Sequence, residues 1–98
     1  MPLDKNVHQE ALYCKVFGMV QGVGFRYTAM AEAQKRGLVG WVRNCSDGSV
    51  EVYAEGSTAM LKPFVAWLHR GPPSAVVHRV DVKSVIPSGV FNRFSIEY

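Results

Sequence analysis

Between a strand pattern and a helical pattern, the chain reads Gly18-Met19-Val20-Gln21-Gly22-Val23-Gly24-Phe25-Arg26. We call this stretch the glycine loop; its glycines let backbone approach a ligand closely. The start of a helix offers unpaired N–H groups and partial positive charge, and phosphate binds readily there. Arg26 lies in the first helical turn, where the helix dipole disfavours a cation. An anionic ligand held by the guanidinium and the N–H groups together would remove this conflict.

The segments on both sides of the glycine loop have regular patterns. Before it, apolar residues alternate with others and predict a first strand over 12–17, with Leu12, Cys14 and Val16 on one face. After it, residues 25–36 predict a helix, whose apolar stripe contains Phe25, Ala29 and Ala33. Gly37 is a typical residue to end that helix.

Two strands joined by a hairpin are predicted next. Residues 39–44 form the second strand, and Ser46-Asp47-Gly48 forms the turn, in which Asp-Gly is expected to supply positive φ angles. Residues 50–55 form the third strand. Its alternation places Val50, Val52 and Ala54 inward, and Glu51 and Glu55 outward.

The remainder of the chain predicts one more helix and two strands. Ser57 or Thr58 caps the second helix, whose apolar stripe contains Leu61, Phe64, Val65 and Leu68. Pro63 inside this segment predicts a late start or a bend. Alternation over 76–82 predicts a fourth strand, and alternation over 94–98 a short last one.

The order of elements predicts the fold class. β-α-β-β-α-β is the ferredoxin-like arrangement, so we expect an α+β sandwich in which an antiparallel sheet carries two helices on one face, plus a short C-terminal strand. Residues 1–9 are expected to be a flexible N-terminal segment and residues 10–98 a single domain. Spacing alone does not decide whether Asn44, at the end of the second strand, lies at the same end of the sheet as the glycine loop.

Composition limits the classes of function. The 98 residues are 48% hydrophobic and 19% charged, with a net charge of +3, which is typical of one globular domain. The basic residues are scattered, which argues against a nucleic-acid partner. No run is apolar and long enough for a membrane span or a signal peptide, and Cys14 and Cys45 fit no Cys-x-x-Cys or Cys/His zinc pattern. We expect both thiols to be reduced, and a Cys14–Cys45 disulfide is the less favoured alternative. We therefore expect a cytoplasmic monomer that binds no membrane, metal or cofactor.

Two motifs at a characteristic separation carry a resemblance to a known family. The glycine loop is the first, and Gly40-Trp41-Val42-Arg43-Asn44, followed by Asp47-Gly48-Ser49-Val50, is the second. Together with Glu55-Gly56 and the closing residues 94–98, they closely resemble the acylphosphatase family over nearly the whole chain after residue 9. Enzymes of this family hydrolyse acyl phosphates to a carboxylate and inorganic phosphate.

The resemblance implies roles for particular residues. It makes Arg26 and Asn44 the catalytic residues. It places the phosphoryl group against the backbone N–H groups of a run in the glycine loop, namely Gln21, Gly22, Val23, Gly24, Phe25 and Arg26. Asn44 would hold the attacking water, with no phosphoenzyme formed, and a phosphate oxygen of the substrate would take the proton. The expected partners are a small acyl phosphate and, as product and competitive ligand, inorganic phosphate.

The residue types fit that chemistry. The leaving group of an acyl phosphate is a carboxylate whose conjugate acid has a pKa of about 4, so no general acid is needed. A phosphate monoester has a poorer leaving group and calls for a metal, an acid or a covalent nucleophile, of which the sequence gives no sign. Positioning and charge stabilisation suffice for an activated phosphoryl group.

Two other functions remain open at this point. RNA-recognition domains share the predicted topology, but they carry basic and aromatic residues on the third strand, where this chain has Glu51, Tyr53 and Glu55. A phosphate-binding accessory domain without turnover is the second alternative. The presence of both Arg26 and Asn44 argues against it.

Overall fold

In the computed structural model, which describes residues 9–98, two helices pack on a five-stranded sheet. The elements in chain order are β1 (Gln9–Met19), α1 (Phe25–Lys35), β2 (Val39–Asn44), β3 (Val50–Ser57), α2 (Thr58–Arg70), β4 (Val76–Val85) and β5 (Phe94–Ile96). The segment expected to be flexible, 1–9, lies outside the described residues except for Gln9. Gln9 begins β1 and pairs with Ser57. No helix in the described range is long and apolar enough to cross a membrane.

The sheet confirms the ferredoxin-like order. The strands lie side by side as β4-β1-β3-β2-β5, and the first four pair in antiparallel fashion. The C-terminal strand extends this sheet differently, because β5 pairs with β2 in parallel over Gly40–Val42 and Phe94–Ile96. Antiparallel pairing therefore describes the four-stranded part of the sheet and not its β5 edge.

Strand pairing shows whether Asn44 and the glycine loop lie at the same end of the sheet, which spacing alone did not decide. β1 and β2 both run antiparallel to β3, so they point in the same direction and end at the same edge of the sheet. Val50 is opposite Val16 in β1 and opposite Asn44 in β2. Asn44 therefore lies at the edge where the chain leaves β1 and enters the glycine loop.

The core lies between the sheet and the helices. Helix α1 covers β2 and β5, and α2 covers β1, β3 and β4. The predicted inward residues of β3 are buried, as are Phe25, Ala29 and Ala33 of α1. The small alanines let α1 approach the sheet closely, and Phe25 packs against Trp67 of α2 with ring centroids 5.4 Å apart. This packing fixes the start of α1 against the sheet edge.

The β2–β3 connection is a different turn from the one predicted. Only Gly48 has a positive φ, of 91°, and no residue other than glycine in the described range has one. Gly48 N–H donates to the Cys45 carbonyl at 3.1 Å, and Cys45 N–H donates to the Ser49 carbonyl at 2.9 Å. The expectation that Asp47 also adopts a positive φ was wrong, because a longer loop needs the left-handed conformation at its last position only.

Helix α2 begins as predicted at a serine cap. The Ser57 hydroxyl accepts a hydrogen bond from Met60 N–H at 3.3 Å. Pro63 does not delay the start, since the helix begins at Thr58 and continues through the proline to Arg70. Proline lacks only the one N–H that would bond the Ala59 carbonyl, and the buried side chains of Leu61, Phe64, Trp67 and Leu68 hold the helix on the sheet.

The outer face of β3 is not the open acidic surface that alternation suggested. Glu55 is only 7% exposed. Its carboxylate accepts hydrogen bonds from the N–H groups of Ser88 and Gly89, both at 3.1 Å, and from the Tyr53 hydroxyl at 2.7 Å. Glu51 is paired with Arg43 at 2.7 Å. The β4–β5 connection thus covers one carboxylate, and an arginine neutralises the other.

The hydrogen bonds to Glu55 determine its titration. Desolvation by burial raises the pKa of this carboxyl, but the bonds from Tyr53, Gly89 and Ser88 outweigh burial and lower the pKa below its usual range. A lowered folded-state pKa means that the ionised form stabilises the fold.

Replacing Glu55 by glutamine should reduce the free energy of unfolding by about 1–3 kcal/mol at neutral pH, because buried donors lose their charged acceptor. The carboxylate's contribution is complete above the unfolded-state pKa of about 4.3 and is lost as the pH falls through the folded-state pKa. In urea unfolding, the difference in free energy of unfolding between the parent protein and Glu55→Gln should therefore become smaller as the pH is lowered.

The matched control is Glu10→Gln, which changes an exposed glutamate on β1. It should shift the unfolding midpoint little. A difference in free energy of unfolding between the parent protein and Glu55→Gln that stays constant as the pH falls would contradict the assigned role of the carboxylate.

Candidate active site

A shallow depression with a volume of about 70 Å³ lies at the sheet edge where β1 and β2 end. Its walls come from the glycine loop, the first turn of α1 and the end of β2. The lining residues are Val20, Gly22, Gly24, Phe25, Arg26, Tyr27 and Asn44. Two separate segments that the sequence singled out, around Arg26 and around Asn44, therefore meet at one place.

The start of α1 lines this depression and carries N–H groups with no side-chain cap. Gly24 is the N-cap residue in the left-handed conformation, with φ 78° and ψ 16°, and no side chain caps the helix. The first N–H with a helical partner belongs to Thr28, which donates to the Gly24 carbonyl at 3.1 Å. No acidic residue stands in the first turn. The helix terminus therefore keeps its positive potential and its free donors.

The Arg26 guanidinium adds a full positive charge beside those donors. Arg26 takes part in none of the ion pairs formed within residues 9–98. Its guanidinium carbon lies 5.3 Å from the ring centroid of Tyr98, the C-terminal residue. A cation–π contact orients the side chain without neutralising it. The side chain thus remains available to an anion.

Asn44 is the last residue of β2 and is half-buried. The hairpin loop that follows it, residues 45–49, is held in shape by Asp47. The Asp47 carboxylate accepts from the Ser49 hydroxyl at 2.5 Å and from Ser49 N–H at 3.0 Å, and pairs with Lys15 at 3.2 Å. These bonds lower the pKa of Asp47 to about 2. The loop adjoining Asn44 keeps this charged anchor through the physiological pH range.

The structure brings together most of the residues expected to bind phosphate, but not all. Gly22, Gly24, Phe25 and Arg26 line the depression with Asn44. Two others do not: Gln21 directs its side chain to the hairpin loop, and Val23 packs partly against the core. Binding of phosphate by the backbone N–H groups stays a prediction.

Sequence reasoning missed two lining residues. Tyr27 belongs to the same first turn as Arg26, so the rule that a helix leaves its first N–H groups unpaired could have included it. Val20 is the residue of the glycine loop that directly follows β1, and it is buried. No sequence signal separates it from an ordinary core valine.

Neither of the two cysteines, Cys14 and Cys45, lines the depression. Burial raises the pKa of the Cys14 thiol to about 12, so this cysteine stays protonated in the core. Cys14 and Cys45 are both free. Within the described range, no group of three or more His, Cys, Asp and Glu side chains has the arrangement of a metal site.

Comparison with known proteins identifies the family of this chain. The acylphosphatase family model matches residues 12–96. The chain belongs to the acylphosphatase family. The acylphosphatase of Thermococcus kodakarensis is 46% identical over 78 residues, which cover 80% of this chain and 86% of that relative. The acylphosphatase of Acaryochloris marina is 48% identical over 81 residues, which cover 83% of this chain and 86% of that relative.

A solved structure extends the match to three dimensions. The crystal structure of acylphosphatase from Bacillus subtilis superposes with a TM-score of 0.87 at 43% identity, covering 91% of this chain and 99% of that one. Sequence and fold therefore agree, and the chain is a hydrolase that acts on the acyl phosphate anhydride bond.

Removing the Arg26 guanidinium tests the electrostatics of the depression. Arg26→Ala should abolish measurable binding of inorganic phosphate in calorimetry and lower kcat/KM on the order of 10²–10³-fold, because one preorganised cationic donor is lost. Circular dichroism should be unchanged, since Arg26 forms no ion pair within residues 9–98.

Arg70→Ala, at the exposed end of α2, removes the same charge elsewhere and should leave phosphate binding intact. Equal phosphate affinity in Arg26→Ala and the parent protein would show that the guanidinium does not contact the anion.

Proposed function

We propose that the depression is the active site and that it hydrolyses acyl phosphates by direct in-line attack of water. The observation that supports this most strongly is the meeting of an uncapped helix start, an unneutralised Arg26 and Asn44 in one depression. The N–H groups near the start of α1 bind the phosphoryl oxygens, and the guanidinium makes planar, charge-assisted contacts with the same group.

In this proposal, Arg26 and the helix start perform electrostatic catalysis. Negative charge accumulates on the phosphoryl oxygens and on the leaving carboxylate as the anhydride bond breaks. Donors that are already oriented stabilise this charge without reorganisation. The left-handed backbone at Gly22 and Gly24 is compatible with this role, because a Cβ at either position would meet no atom of a non-adjacent residue within 4 Å, which leaves room for a ligand.

Asn44 has a different task. Its carboxamide both donates and accepts hydrogen bonds, so it can hold a water molecule with a lone pair directed at phosphorus. A carboxamide is not a base at neutral pH, and the water's proton passes to a phosphoryl oxygen of the substrate. The O–P bond to the carboxylate breaks as the new O–P bond forms, and the products are a carboxylate and inorganic phosphate.

This scheme assigns the substrate class and the surroundings of the enzyme. A carboxylate leaves without protonation, so carboxyl-phosphate anhydrides are substrates and alkyl phosphate monoesters are not. No step calls for a metal or an organic cofactor. The scattered basic charge supports a protein that acts alone on a small anion, and two free cysteines favour a reducing compartment such as the cytoplasm.

The direct test of activity compares two substrates in the presence of a chelator. Benzoyl phosphate should be hydrolysed rapidly with EDTA present, p-nitrophenyl phosphate should be hydrolysed slowly, and inorganic phosphate should inhibit competitively. Faster turnover of the monoester, or loss of activity with EDTA, would contradict the proposed mechanism.

Asn44→Ala separates water positioning from phosphate binding. We expect kcat for benzoyl phosphate to fall on the order of 10²–10³-fold, because the attacking water is no longer oriented. The inhibition constant of inorganic phosphate should not change, because the N–H groups and Arg26 remain. Asn92→Ala, at an exposed position before β5, is the matched control and should behave like the parent protein. A normal kcat in Asn44→Ala would exclude the assigned role.

A further inference from the structure

The side chain of Gln21 crosses from the glycine loop to the hairpin loop that follows Asn44. Its Nε2 atom donates to the Cys45 carbonyl at 2.7 Å and to the Ser49 carbonyl at 2.9 Å. Cys45 is the next residue after Asn44 in the chain. One carboxamide therefore joins the segment before α1 to the segment that carries Asn44.

The two accepting carbonyls are those that close the hairpin loop. Each already receives one backbone N–H, the Cys45 carbonyl from Gly48 and the Ser49 carbonyl from Cys45. A carbonyl oxygen has two lone pairs and can accept two hydrogen bonds. With the donors from Gln21, the Cys45 and Ser49 carbonyls each accept two. The primary amide of Gln21 supplies two uncharged N–H donors from one nitrogen, whereas an ionised glutamate of the same shape supplies none.

The hairpin loop has a second anchor, on the side of the sheet. Asp47 pairs with Lys15 of β1 and binds Ser49 through both its N–H and its hydroxyl. This anchor fixes the loop to the sheet but does not reach the glycine loop. Between the glycine loop and the base of the hairpin loop, the described side-chain hydrogen bonds are those of Gln21.

We propose that the Gln21 side chain is a positioning residue, which sets the distance between the phosphate-binding N–H groups and the water held by Asn44. This rests on the proposed function of Asn44. In-line attack needs the water and the phosphorus atom aligned, and a misplacement of about 1 Å costs on the order of 10²-fold in rate. The pairing of β1 and β2 with β3 fixes the glycine loop and the hairpin loop only where they leave the sheet. The hydrogen bonds of Gln21 hold the two loops together outside the sheet.

Gln21→Met tests the proposal with little change in side-chain size. It keeps the backbone N–H and the length of the side chain and removes both hydrogen bonds. We expect kcat for benzoyl phosphate to fall about 10- to 100-fold. The inhibition constant of inorganic phosphate should stay the same. Gln34→Met is the matched control, because Gln34 also donates its Nε2 to a backbone carbonyl, that of Phe94 at 3.2 Å, away from the depression. It should leave kcat unchanged.

A double-mutant cycle distinguishes positioning from mere support of the fold. In an Asn44→Ala background no water is held, so Gln21→Met should cause no further loss of kcat. The same fractional loss in both backgrounds would overturn the proposal, as would an unchanged kcat in the single variant or a raised inhibition constant of phosphate.

A second variant keeps the test decisive if Gln21→Met does not fold. Where urea titration shows that Gln21→Met is unfolded under the assay conditions, Gln21→Asn replaces it, since asparagine keeps the amide but is one methylene too short to reach both carbonyls. Failure of the proposed function would be visible separately, as no benzoyl phosphate hydrolysis in the parent protein or no effect of Asn44→Ala alone.

Discussion

The pairing of β3 with both of its neighbours is the constraint on which the rest of this structure depends. Because β1 and β2 each run antiparallel to β3, both end at one edge, and Val50 stands between Val16 and Asn44 in the register. A shift of one residue would turn the side chains of a strand to the opposite face. The buried valines of β3 oppose such a shift, and the same apolar burial that stabilises the sheet brings Asn44 to the glycine loop.

Local structure at this edge is less favourable than elsewhere in the chain. The start of α1 has no side-chain cap and no acidic residue, and it carries Arg26 where a cation is repelled. The start of α2, in contrast, has a serine cap. Both helices pack on the same sheet, so the difference indicates that the start of α1 is adapted to ligand binding at some cost in stability. An anion supplies the charge that the helix start lacks.

The sequence predicted the features that depend on neighbouring residues. The span of β2, the start of α1 after Gly24, its end near Gly37 and the serine cap of α2 all follow from local patterns. The assignment of Arg26 and Asn44 to one catalytic site came from the family resemblance rather than from periodicity. Periodicity placed both residues at the ends of elements, and strand pairing decided which ends meet.

The features that sequence reasoning missed depend on distant parts of the chain. Burial of Glu55 requires Ser88 and Gly89, more than thirty residues away, and alternation along β3 carries no information about them. The parallel pairing of β5 involves three residues, too few for a pattern to indicate direction. Likewise, the glycine loop suggested Gln21 as a backbone donor, and only its distance to Cys45 and Ser49 revealed the use of its side chain.

The central claim is that one anion binds to the start of α1 and to Arg26, directly beside the Asn44 carboxamide, and amide NMR measures this most directly. In a titration of the ¹⁵N-labelled protein with inorganic phosphate, the backbone signals of residues 24–27 and the side-chain carboxamide of Asn44 should shift along one saturable curve with a common dissociation constant. Signals from the outer face of the sheet should not move. Saturable shifts at residues 24–27 with an unmoved Asn44 carboxamide, or shifts centred elsewhere, would contradict the account.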